Sequence, residues 1–162
     1  MTSTSQIRRQ LVQLLTDSQA HMTFEQAVAE YPLSAFNTVF PNGAYTPWHL
    51  LEHLRLTQRD ILDFMTDPHY QEGVWPDDYW PAHDTQATEA EWRQTIAAFQ
   101  RDVQALVAIV TDPQTDLDAV IPHGSGQTIF REIVLVADHN AYHIGEFAIM
   151  RQVMGTWGDA PH

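Results

Sequence analysis

Apolar residues return every three to four positions in four stretches of the chain, the period of a helix that buries one face. Ile7, Leu11, Leu14 and Leu15 share one side of a first helix, expected from roughly Thr4 to Gln19. Thr46-Pro47 opens a second, with threonine as N-cap and proline in the first turn, where its missing N–H costs nothing. This helix is expected to reach about Met65 and to bury Leu51, Leu54, Ile61 and Leu62. A third begins near Thr88, whose hydroxyl pairs with Glu91 in a capping box. Trp92, Ile96, Phe99, Val103, Leu106, Val107 and Val110 give it the cleanest apolar stripe in the chain, and Asp112-Pro113 ends it. The fourth runs from around Thr128 to about Met154, where Gly155 stops it. Its middle, IVLVADHNAYHIGEFAIM, is apolar nearly all round, which predicts a central position.

No segment alternates with the period of a strand, so the pattern predicts an all-α four-helix bundle, a single domain over residues 1–162. Two connections are long. Residues 20–45 are expected to hold a short helix around Phe24–Glu30, and residues 66–87 carry the aromatic, proline-rich VWPDDYWPAHD. Long crossover connections let neighbouring helices run parallel, and long ordered loops often serve a site. The tail after Trp157 is expected to be loose.

Composition narrows the chemistry. With 44% hydrophobic and 18% charged residues the chain is an ordinary globular one. It has no apolar run long enough for a membrane helix, and MTSTSQIRRQLVQLL lacks the apolar core of a signal peptide, so the cytoplasm is expected. There is no cysteine, which excludes disulfides, thiolate ligands and a cysteine nucleophile; thiol chemistry would need a small-molecule thiol. A net charge of −13 repels phosphate backbones and argues against nucleic acid as a partner.

The histidines carry the sharpest signal. His139 and His143 are one helical turn apart, and Glu146 follows three residues later, so all three share a narrow sector of an apolar helix. Burying them unpaired is costly, and a shared metal would offset that cost. On the second helix, His49-Leu-Leu-Glu52-His53 matches the H-x-x-E-H pattern of a zinc protease, with Glu52 as base. That motif is short, and the chain is small for an enzyme that holds an extended peptide. The alternative is that one of the two histidines turns inward to join His139 and His143. His53, between Leu51 and Leu54 on the apolar stripe, is the better placed; His49, near the helix start, is expected at the partly exposed rim. His21, His69, His83, His123 and His162 read as structural or solvated.

Thr46-Pro47-Trp48-x-Leu50-Leu51-Glu52-His53-Leu54, Gln58-x-Asp60-Ile61-Leu62, Asp138-His139-Asn140-Ala141-Tyr142-His143-x-Gly145, Arg151 and Gly155-x-Trp157 together resemble the DinB-like superfamily of metal-binding bundles. The resemblance implies a divalent metal, nickel or zinc, held by His53, His139 and His143. It also implies a small-molecule substrate and a homodimer. Relatives include thiol S-transferases and thiol-dependent isomerases that activate a low-molecular-weight thiol on the metal, and others look like hydrolases. A non-catalytic, stress-related metal-binding bundle is the alternative. Where many relatives carry glutamine, this chain has Glu146, a candidate fourth ligand, ring-orienting partner or general base, with solvent or Arg151 as its other possible contacts.

Overall fold

A computed structural model describes residues 3–158. Its helices are α1 (Ser3–Thr16), α2 (Phe24–Val28), α3 (Pro47–Thr66), α4 (Glu89–Thr111) and α5 (Ile129–Met154). Threonine starts four of them: the side chains of Thr23, Thr46, Thr88 and Thr128 each accept from a backbone N–H three residues on. Glu91 closes the expected capping box at Thr88, and Gly155 ends α5 in the left-handed conformation at φ 64°. No strand forms among the described residues; one isolated bridge, Val120 to Thr128, closes the turn before α5. The tail expected to be loose lies, beyond Gly158, outside the described residues, as does His162.

The four long helices form a ring in which α3 packs on α4 and α5, and α1 packs on α4 and α5, with α2 laid against α5. Cross-links fix the directions. Glu52 meets Thr95 and Arg59 meets Asp102, so α3 and α4 run parallel, which the long 67–88 crossover permits. His53 meets His143 and Thr57 meets His139, so α3 and α5 run antiparallel.

Two apolar clusters fill the bundle. Trp48, Leu51, Leu54, Trp92, Phe99, Ile144 and Phe147 pack at one end, with Phe24 and Tyr31 from the α2 region; Leu11, Leu62, Leu106, Val110, Ile133 and Val136 pack at the other. Between them lies a polar layer. Gln58 donates through Nε2 to the Phe99 carbonyl at 2.8 Å, and Asn140 donates through Nδ2 to Gln58 Oε1 at 2.8 Å. The buried Arg151 guanidinium donates to the carbonyls of Ala27, Ala29 and Thr156 at 2.7–2.9 Å and stacks over Trp157, pinning α2 to the end of α5.

Three details differ from the sequence reading. Leu14 is 47% exposed and Ile7 also faces out, because α1 covers its neighbours mainly through Leu11. α5 sits in the ring rather than at its centre, so its uncovered side leaves Phe130, Val134, Ile149 and Val153 exposed. The short helix stops at Val28, two residues early, because Ala29 is extended and Glu30 takes φ 49°.

Candidate metal centre

α3 and α5 present His53, His139 and His143 toward one another, each offering a ring nitrogen within 4.8 Å of the others. Helical spacing puts His139 and His143 on one face of α5, and the antiparallel packing brings His53 opposite them. Hydrogen bonds aim the rings. His53 Nδ1 lies 2.7 Å from the Tyr79 carbonyl, which can only accept, so Nδ1 carries the proton and Nε2 is left with its lone pair. His143 Nδ1 lies 2.7 Å from Glu146 Oε2, and a carboxylate there likewise draws the proton to Nδ1. The two Nε2 atoms then face each other at 3.2 Å. With both rings neutral, the two lone pairs repel, and a bridging cation would relieve that repulsion. Their separation is close to the ~3.4 Å edge of a tetrahedral zinc–imidazole site. Thr57 gives its hydroxyl proton to the His53 carbonyl at 2.7 Å and lies 3.4 Å from His139 Nδ1, a longer contact of the same sense. Donor type, spacing and unspent lone pairs therefore fit a divalent ion.

The surroundings keep the rings neutral. Burial, and then the neighbouring rings, push His139 down to about 4 and His143 down to about 3. Burial also lowers His53, against the pull of the Tyr79 carbonyl, while it raises Glu146. Trp80 stacks flat on His53, with centroids 3.8 Å apart and planes 6° from parallel. The 67–88 connection thus supplies both a carbonyl and an aromatic face to one imidazole.

Beside the rings opens a cavity of about 470 Å³, lined by Thr57, Asp60, Ile61, Trp75, Tyr79 and Tyr142 along with the three histidines.

The rest of the H-x-x-E-H motif points elsewhere. His49, expected at a partly exposed rim, is only 4% exposed. Its Nε2–H donates to the Ala82 carbonyl at 3.1 Å, and its Nδ1 accepts from the Thr46 hydroxyl at 2.6 Å, so it locks the helix start to the loop and has no nitrogen left for a metal. Glu52 holds Arg55 at 2.5 Å and accepts from Thr95, far from a base's task. Glu146 is not the partner of Arg151, whose two Nη atoms go to backbone carbonyls. Sequence reasoning missed Glu132, buried on α5 against Arg131 at 2.6 Å, and the stacking role of Trp80.

The family model of the DinB superfamily matches residues 11–147. The chain belongs to this superfamily. No curated protein and no solved structure matches it. The matched span includes both halves of the histidine cluster and the loop that orients His53, so this DinB-superfamily chain is an all-α bundle with a three-histidine cluster that could hold a metal. Among the described residues, no helix is long and apolar enough to cross a membrane.

Proposed function

We propose that the protein is a metal-dependent enzyme in which His53, His139 and His143 hold a divalent ion, nickel or zinc, next to a substrate cavity. Its reaction class is transfer of a low-molecular-weight thiol, or hydrolysis, at an electrophilic small molecule. The observation that carries this reading is the cavity of about 470 Å³ opening directly on three imidazoles, two of which, His53 and His143, keep an Nε2 lone pair free for a cation. A closed structural site would have no such access. When bound, the ion supplies a Lewis-acid position and acidifies a thiol or water at the open coordination site.

The chain's own residues do the rest. Tyr79 through its carbonyl, and Glu146 through its carboxylate, hold two rings in the tautomer that presents Nε2. Glu146 on the far nitrogen of His143 suits an orienting role better than that of a base or a fourth ligand. Trp75, Tyr79 and Trp80 wall the cavity, which supports the 67–88 loop as its cover. The exposed apolar side of α5 is consistent with a homodimer.

Elemental analysis of untagged protein, followed by thiol conjugation to a small electrophile, tests the reading. About one ion per chain and a rate lost in His143→Ala are expected. Bound ion with no acceleration across a thiol panel, and none for ester hydrolysis, would favour the non-catalytic bundle.

A further inference from the structure

The cavity beside the histidines has an outer half that the metal reading does not use. Asp60 lies seven residues after His53 on the same helix, about 10 Å further along the axis at 1.5 Å per residue. It lines the cavity and is partly buried. Its Oδ1 accepts from the Tyr70 hydroxyl at 2.9 Å, which fixes where the carboxylate sits. No cation answers it. Arg59, its neighbour in sequence, turns to Asp63 and Asp102, and Arg55 is held by Glu52. Among the described residues Asp60 enters no ion pair. Burial, and then the charges of Glu72 and Asp63, raise its pKa against the hydrogen bonds of the Tyr70 and Tyr79 hydroxyls.

The second observation is aromatic. Trp75 is 67% exposed and Tyr142 is 72% exposed, yet both line this cavity, from the 67–88 loop and from α5. Tyr79, with its ring 5.7 Å from that of Trp75, joins them. Large rings left in water around a concave surface mark a binding site. Their faces carry negative potential and attract cations.

A carboxylate without a counter-ion and a rim of open aromatic rings ask for the same ligand chemistry. We infer that the outer half of the cavity recognises an organic cation, an amine or alkylammonium group, on the substrate. A neutral group would leave the charge of the carboxylate without a counter-ion, and an anionic one would be repelled. A divalent ion between them would lie about one to two helical turns from Asp60, so the substrate would place its reactive end at the rings and its cationic end at the mouth. This inference deepens the proposed function and rests on that reading of the cavity as a substrate site.

Choline and its uncharged isostere 3,3-dimethylbutan-1-ol separate charge from shape. Each is titrated into the metal-loaded full chain by NMR, following the Trp75 indole, with metal content measured on the same sample. Choline is expected to bind about ten-fold more tightly than the isostere, a gap typical of a cation on aromatic faces beside a carboxylate. Asp60→Asn, which keeps shape and the Tyr70 hydrogen bond, should reduce the gap to within about two-fold. Trp75→Leu, at an exposed position, should weaken choline more than the isostere, read there by calorimetry. Equal affinities, no choline binding, or a preference that survives Asp60→Asn overturns the inference. Metal bound without cation preference sinks this inference alone. Cation preference in a chain that holds no metal sinks the metal-enzyme reading alone.

Discussion

His53 and His143 meet across ninety residues of chain with their Nε2 atoms 3.2 Å apart, and each has already spent Nδ1 on an acceptor. Two lone pairs at that distance repel unless a proton or a cation lies between them. Replacing one ring removes the reason for the other to point there. His53→Ala, His139→Ala and His143→Ala are each expected to lose most of the bound divalent ion while remaining helical. His49→Ala should retain about one ion per chain and lose ~2–4 kcal/mol of stability, since it deletes a buried ring and two hydrogen bonds. Metal content by elemental analysis and denaturant unfolding check both halves; an emptied site in His49→Ala would contradict the geometry.

Glu146 sets the tautomer of His143 from behind. Glu146→Gln can still reach Nδ1, but without the charge that strengthens the imidazole as a ligand. A 10–100-fold loss of metal affinity is expected, the usual cost of removing an outer carboxylate partner. A competition titration against a chelating dye measures it. Unchanged affinity would mean that the carboxylate only fills space.

Acid should loosen the metal-free protein in a defined window. His139 and His143 titrate at about 4 and about 3 in the fold, against ~6.5 for an unfolded histidine. Between those values the unfolded chain binds more protons, so stability rises with pH and is lost as pH falls from about 6.5 toward 4. Each neutral ring contributes a slope of up to ~1.4 kcal/mol per pH unit across that range. Glu146, raised by burial, works in the opposite direction near the carboxylate range and blunts the lower end. Thermal unfolding in chelator at pH 7, 6 and 5 should show a falling midpoint, and His143→Ala should flatten the curve.

Gln58 is the hinge of the polar layer, joined to the Phe99 carbonyl and to Asn140. Gln58→Leu takes the side-chain donor from the Phe99 carbonyl and leaves the buried Asn140 amide nitrogen without a partner. A loss of ~2–4 kcal/mol in denaturant unfolding is expected, more than the change in volume explains. A neutral result would mean that water replaces the lost amide.

Much of this was readable in the residues. The period of the apolar positions, the caps at Thr46 and Thr88, and Gly155 mark the helices because those effects are local. The pairing of His139 with His143 is local too, a matter of one turn. The meeting with His53 was legible through its place between Leu51 and Leu54, on the buried stripe. His49 was misjudged because nearness to a helix start says nothing about a loop folding back over it; Ala82, thirty-three residues away, does the burying. The openness of Leu14 and of one side of α5 has the same origin. Periodicity shows that a face is apolar, not whether a neighbour arrives to cover it.

The amide layer has a consequence for how this scaffold can change over time. Sliding α5 along α3 by one turn, ~5.4 Å, would set the amides of Gln58 and Asn140 against methyl groups. The alignment of the two helices is therefore held by residues other than the histidines, so ligands can be exchanged singly without the helices losing their place. Such a frame allows one donor to drift to another, and one chemistry to succeed another, while the bundle itself stays as it is.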